Sequence, residues 1–286
     1  MSLNDSASPS SSADSSMPEV AGVQRPDGDR PSVNGWKYFR WSLWLLLLAG
    51  AIGLWILSRF QPGFSDSLAH LVAQLQESSL SQSQRDAELA AAKVLRKSGA
   101  LVIFEGPQQG VTSVHFTNPK ALSEESLTQL AMLVRLNSLN LTGMPITDEQ
   151  LVYVAKVRSL ASLVLNETPI ADGGLAHLAP LEQLEVLHLR KTAVTDAGLA
   201  HLAALPNLKV LDLSETQVTD QGLAELAKLK DLRWLLLDGD AVTDAGLKHL
   251  ELLPQLGQLN LRDTRVTKDG IDQLKKALPS LHVEHR

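Results

Sequence analysis

A period of 24 residues governs the C-terminal part of this 286-residue chain. The segments Val194–Leu199 (V-T-D-A-G-L), Val218–Leu223 (V-T-D-Q-G-L) and Val242–Leu247 (V-T-D-A-G-L) recur at that spacing, and the frame runs back through Ile170 to Ile146 and forward to Val266. Six units start at Leu136, Leu160, Leu184, Leu208, Leu232 and Leu256. Seven columns, headed by Leu136, Leu139, Leu141, Ile146, Leu151, Val154 and Val157, are apolar in all six units. A unit this short cannot bury its own apolar side. It must stack on copies of itself, so the repeat predicts an elongated array with one continuous core.

Each unit opens L-x-x-L-x-L, as at Leu184, Leu187 and Leu189. Alternation of apolar and polar residues in its second half predicts a short strand with one buried face. A turn follows, then Thr195 as helix N-cap and Asp196 in the first helical turn, where its charge opposes the positive end of the helix dipole. Leu199, Leu202 and Leu205 continue at helical spacing. Stacked units therefore place parallel strands on one side and helices on the other. The glycine column Gly174, Gly198, Gly222, Gly246 and Gly270 predicts close approach of neighbouring helices. The threonine column Thr168, Thr192, Thr216 and Thr264 predicts hydroxyl bonds to turn backbone in the next unit. Met144 and Asp240 interrupt that column, which predicts irregular turns there.

The pattern L-x-x-L-x-L-x-x-T-x-V-T-D-x-G-L-x-x-L, over about residues 120–283, resembles the cysteine-containing class of leucine-rich repeats. It is similar to the Cys-free form found in bacterial, planctomycete-type, membrane-anchored proteins. The resemblance implies an α/β solenoid: a horseshoe with parallel strands on the concave face and helices on the convex face. The same class forms the substrate-receiving domains of F-box adaptors, but no F-box is recognisable here, so that role does not carry over.

The ends of such an array expose core and need covering. Ala87, Ala90, Ala91, Val94 and Leu95 mark one face of a capping helix that Gly99 can terminate. Leu101–Phe104 and Val111–Phe116 read as strands of a hairpin. A degenerate unit follows, with Leu122–Leu127 one period before Ile146. Leu281-x-Val283 reads as a last strand after a one-residue insertion near Leu278.

Upstream the character differs. Residues 1–35 are rich in Ser, Pro, Asp and Gly, too poor in apolar side chains to offset the entropy of ordering, and predict a disordered tail. The eighteen residues Trp41–Ser58 carry no charge, and as a helix they span about 27 Å, close to the hydrocarbon thickness of a bilayer. Trp36, Tyr38, Trp41 and Trp55 suit the interfacial belts, and Arg40 and Arg59 can snorkel. The late, long run followed by Ser58-Arg59-Phe60-Gln61-Pro62 suits an anchor better than a cleaved signal peptide. Arg25, Arg30, Lys37 and Arg40 precede it and only Arg59 follows closely, which places the N-terminus in the cytoplasm and the repeats outside. The expected division is a tail at 1–35, a single-pass transmembrane helix at 36–60, a stalk at 61–84, a cap at 85–118 and the repeat domain at 119–286.

A net charge of −6 argues against a generally basic nucleic-acid binder. Without cysteine the chain holds no disulfide framework, thiol nucleophile or Cys-ligated zinc. Phosphate-loop, dinucleotide, zinc-protease and serine-elbow motifs are absent, so no cofactor is expected. His177, His201 and His249 project from separate helices and are expected to be solvated rather than metal ligands. His188, Asp212 and Ser214 gather on adjacent strands, yet an open sheet offers no oxyanion hole, and a cross-strand charge pair is expected. Function is therefore expected to be binding of a protein or envelope polymer, with an envelope scaffold or spacer as the alternative. The expected site is on the concave strands: Trp234 and Leu236 point outward, with Val210, Val186 and Val164 as an apolar strip and Arg190, Asp212, Asp238 and Arg262 as its polar rim. The topology makes a first prediction. A reporter active only outside the cytoplasm, fused to the C-terminus, gives signal; silence there overturns the orientation.

Overall fold

A computed structural model describes residues 81–105 and 110–285. The expected tail, membrane segment and nearly all of the stalk lie outside the described residues, as do the hairpin tip at 106–109 and Arg286. Among the described residues no helix is long and apolar enough to cross a membrane.

Nine strands form one sheet in chain order: β1 (Ala100–Glu105), β2 (Gly110–Phe116), β3 (Ser138–Asn140), β4 (Ser162–Val164), β5 (Val186–His188), β6 (Val210–Asp212), β7 (Trp234–Leu236), β8 (Gln258–Asn260) and β9 (His282–Glu284). β1 and β2 are antiparallel. From β2 onward every pair is parallel, with Leu139, Leu163, Leu187, Leu211, Leu235 and Leu259 in register. Each of these central leucines is buried, while its two strand neighbours face the other side. Helices return the chain between strands: α1 (Gln82–Ser98), α2 (Glu124–Leu130), α3 (Leu151–Val154), α4 (Asp172–Ala176), α5 (Asp196–Leu202), α6 (Asp220–Leu226), α7 (Asp244–Leu250) and α8 (Lys268–Ala277). Packed helices need about 8–10 Å of separation and paired strands about 4.8 Å, so the sheet side is the concave one. Between the layers the seven apolar columns make one core from Ala91 to Leu281.

The repeats are joined by a polar ladder on the loops that lead into the helices. Thr195 caps α5, its hydroxyl accepting from the Ala197 amide. The same hydroxyl donates to Asp172 Oδ2 at 2.7 Å, and the Thr195 amide donates to Asp172 Oδ1 at 2.8 Å. Thr219 repeats this on Asp196, Thr243 on Asp220 and Thr267 on Asp244. Each aspartate therefore holds the helix cap of the following unit, in addition to meeting the dipole of its own helix. At the exposed last rung, the Thr267 hydroxyl and amide hold the Asp244 carboxyl below the ordinary carboxylate range.

The glycine column follows from the ladder. A Cβ on Gly198 would lie against the Asp172 carboxylate, and one on Gly222 against that of Asp196, closer than real carbon atoms approach. Where the preceding unit has Glu124 instead of aspartate, the glycine position is Gln150, whose side chain accepts from the Thr147 amide. In the last unit Lys268 occupies the aspartate position.

Several expectations need correction. The helix of the cap runs from Gln82, behind a capping box between Ser81 and Gln84. Its buried face is Glu88, Ala91, Ala92 and Leu95, whereas Ala87 and Ala90 are exposed. Glu88 earns that place by accepting from the Val111 amide at 2.8 Å. The hairpin is part of the repeat sheet, since Val114 of β2 pairs with Leu139 of β3. Three of the four threonine hydroxyls bond within their own unit: Thr168, Thr192 and Thr264 donate to the Leu165, Leu189 and Leu261 carbonyls, whereas Thr216 donates to the Asp240 side chain of the next unit. At the C-terminus Leu278 replaces Ala277 in the core, as the insertion required, and β9 returns to the register of β8.

Gly222→Ala and Asp196→Ala each destabilise the protein, by about 1–3 kcal/mol, through a clash and through unpaired Thr219 donors respectively. The double variant loses less than the sum, by at least about 0.5 kcal/mol, because removing the carboxylate makes room for the Cβ. Denaturant melts of the four proteins measure this, and simple additivity contradicts the ladder.

Candidate functional site

Strand alternation delivers two columns of side chains to the concave face. One runs Ser138, Ser162, Val186, Val210, Trp234, Gln258 and His282; the other runs Asn140, Val164, His188, Asp212, Leu236, Asn260 and Glu284. Trp234 is 49% exposed, flanked by Val210 and Gln258. Leu236, two residues along the same strand, is half-buried, as are Val210, Val186 and Val164. Val164 and Leu236 do not adjoin, because His188 and Asp212 stand between them in their column. The apolar residues instead follow a bent path: Val164, diagonally to Val186, across to Val210 and Trp234, then along β7 to Leu236.

Asp212 is not a rim residue. It is 6% exposed and sits within the sheet, at the inside of that bend. Its Oδ2 lies 3.3 Å from His188 Nδ1, and its Oδ1 accepts from the Ser214 hydroxyl at 2.7 Å and the Ser214 amide at 3.0 Å. Burial opposes the charge, but the His188 and Ser214 hydrogen bonds outweigh it and hold the carboxyl below its usual range. The order of contacts is Ser–Asp–His. A hydrolytic triad needs the imidazole between the hydroxyl and the carboxylate; here the serine proton is directed to the carboxylate, so His188 is not placed to take it. The pair is the cross-strand one expected from the spacing.

Arg190, Asp238 and Arg262 lie just beyond the strands. Arg190 pairs with Glu215 at 2.5 Å, and its amide donates to Asn166. Arg262 pairs with Glu284 at 2.7 Å, and its amide donates to Asp238. The rim is thus already engaged with itself, though exposed pairs of this kind are worth little and can be exchanged for a partner's groups. The shortened helices α3 and α4 leave a cleft of about 340 Å³ on the opposite side, lined by residues such as Val152, Lys156, Arg158 and His177. Among the described residues no group of three or more His, Asp or Glu side chains is arranged to hold a metal ion.

A column next to the rim escapes simple pattern reading. Gly143, Glu167, Lys191, Glu215, Gly239 and Asp263 all adopt positive φ, between 55° and 77°. The two glycines were the available signal; charged residues at the other four positions hid it. Those turns share the left-handed residue, but at Met144 and Asp240 the backbone amide itself donates to the Leu141 and Leu237 carbonyls, so the turns differ locally there. Lys191 lies 3.6 Å from Glu167 and 3.9 Å from Glu215, giving this column alternating charge beside the concave face.

Strand, left-handed turn and helix, repeated on a leucine core, give the described residues a solenoid fold like that of leucine-rich repeats. Residues 182–242 match the leucine rich repeat family. No curated protein matches the chain. Among solved structures, an internalin from Listeria monocytogenes shares 25% identity over 55% of this chain and 43% of its own, with a TM-score of 0.46. Internalin C2 of that species shares 23% identity over 70% and 92%, also with a TM-score of 0.46. A leucine-rich-repeat protein of Leptospira interrogans shares 20% identity over 55% and 45%, with a TM-score of 0.41. The chain spans less than half the length of the first and third of these.

Asp212→Ala strands the Ser214 amide and releases His188, and lowers stability by about 1–3 kcal/mol in denaturant melts. His188→Ala, at a half-exposed position, costs under about 1 kcal/mol. Equal losses contradict the central place of Asp212.

Proposed function

We propose that this protein is a membrane-anchored binding module of bacterial type, which captures another protein through the concave sheet around Trp234. One observation carries the site: a tryptophan 49% exposed on a regular sheet, continuous with three valines and Leu236. A lone exposed apolar residue is ordinary, but a connected strip rimmed by charge is characteristic of interaction surfaces, and Trp and Arg are enriched among residues that carry binding energy. An inert spacer has no need of such a strip on a face whose neighbouring strands carry Ser138, Ser162 and Asn140. The uncharged run at 41–58 supports the anchor. It would hold the repeats at the membrane surface, with the 1–35 tail on the other side.

Partner capture by the full chain, read by proximity cross-linking in membranes, tests the site. Trp234→Ala weakens capture by about 2 kcal/mol, roughly thirty-fold, and leaves the melting temperature nearly unchanged. Undiminished capture together with a lowered melting temperature assigns Trp234 to structure and overturns the reading.

A further inference from the structure

In the turn column that Thr168, Thr192, Thr216 and Thr264 fill elsewhere, β7 is followed by Asp240. This carboxyl is 2% exposed. Its Oδ1 accepts from the Thr216 amide at 2.8 Å and the Thr216 hydroxyl at 3.1 Å. Its Oδ2 is buried without a hydrogen-bond partner among the described residues. The charged groups that act on it are Asp212, from β6, and Asp238, at the end of β7; both are acidic. The groups acting on Asp240 itself include no cation among the described residues, although His188 and Arg190 act on Asp212. Arg190 is turned to Glu215 and Arg262 to Glu284, while the Thr264 hydroxyl of the next unit donates to its own Leu261 carbonyl. Thr168, Thr192 and Thr264 are neutral donors to the carbonyl three residues back; an ionised aspartate is neither neutral nor a donor.

We propose that Asp240 is a proton-operated latch: the folded turn after β7 takes up a proton from solvent on the Asp240 carboxyl, which then acts as the neutral donor that Thr168, Thr192 and Thr264 supply in their own turns. Ionisation leaves a buried negative charge beside Asp212 and Asp238 and loosens the turn that carries the strand of Trp234 and Leu236. Burial, with Asp212 and Asp238 adding to it, pushes the carboxyl up to about 7, against the opposing Thr216 hydrogen bonds. In the unfolded chain the group returns to an ordinary value near 3.9. The folded state therefore holds the extra proton between those values. Its contribution to stability is complete below about pH 4, is lost as pH rises to about 7, and changes no further above. The latch is a property of the fold and does not depend on the identity of any partner.

Urea denaturation of the full chain at pH 5.5 and pH 8.0, for the natural protein, Asp240→Thr and Asp240→Asn, tests it. Between the two pH values the unfolding equilibrium constant of the natural protein rises about thirty-fold relative to either variant. At pH 8.0 the threonine variant is the more stable protein. Amide exchange at residues 237–241 of the natural protein, corrected for intrinsic rate, shows the same pH dependence without any substitution. Parallel pH profiles for all three proteins, or exchange protection in this turn that does not change with pH, overturn the proposal.

Discussion

The hand-over from one aspartate to the next unit's threonine is the constraint around which the described units are arranged. The leucine columns supply most of the driving force, but apolar packing is nearly isotropic and would tolerate small slips between units. A carboxylate that must meet both an amide and a hydroxyl tolerates none. It sets the offset of each helix on its neighbour, and so the glycine column, and so the alignment of the strands across the core. The sheet's register is in that sense decided on the opposite side of the molecule. Because α5 to α7 are spaced by these contacts, the strands they cover converge, and the side chains of successive units are gathered on one inward-curving surface.

That surface is polar and small at its first strands, apolar in the middle and polar again after β7. His188, Asp212 and Ser214 lie inside the bend of the apolar path and give the middle of the sheet a fixed hydrogen-bonded point. A binding surface gains from such rigidity, since less freedom is lost when a partner arrives. The ion pairs of Arg190 and Arg262 have the opposite character: exposed, weak and exchangeable.

Much of the fold was legible in the residues. Period, strand and helix positions, the buried columns and the threonine caps all follow from regular alternation repeated six times, which averages away local ambiguity. The insertion at Leu278 was visible for the same reason. The chain was least legible where it leaves the repeat. Ala87 and Ala90 have the composition of a buried face, yet Glu88 takes that place because a backbone amide on a distant strand gives it a partner. Asp196 was read as a dipole partner because its real acceptor role is completed by a residue one unit away. The left-handed column was masked by Glu167, Lys191 and Glu215, residue types that give no hint of positive φ. At the site, Trp234, its valines and the His188–Asp212 pair were placed by alternation and spacing, but spacing does not show that Ser214 turns both its hydroxyl and its amide to Asp212.

The directionality of the hand-over bears on how such a protein changes over generations. Every junction from Asp172 to Thr267 uses the same two partners in the same order, and neither terminal unit is needed to complete an internal one. Duplication or loss of coding sequence in whole multiples of the repeat leaves every junction intact, whereas any other length strands a carboxylate beside the wrong residue. The array is therefore free to lengthen or shorten in whole steps, and each step made before β7 changes how far the Trp234 strand stands from the capping helix α1 while leaving its immediate surroundings as they were.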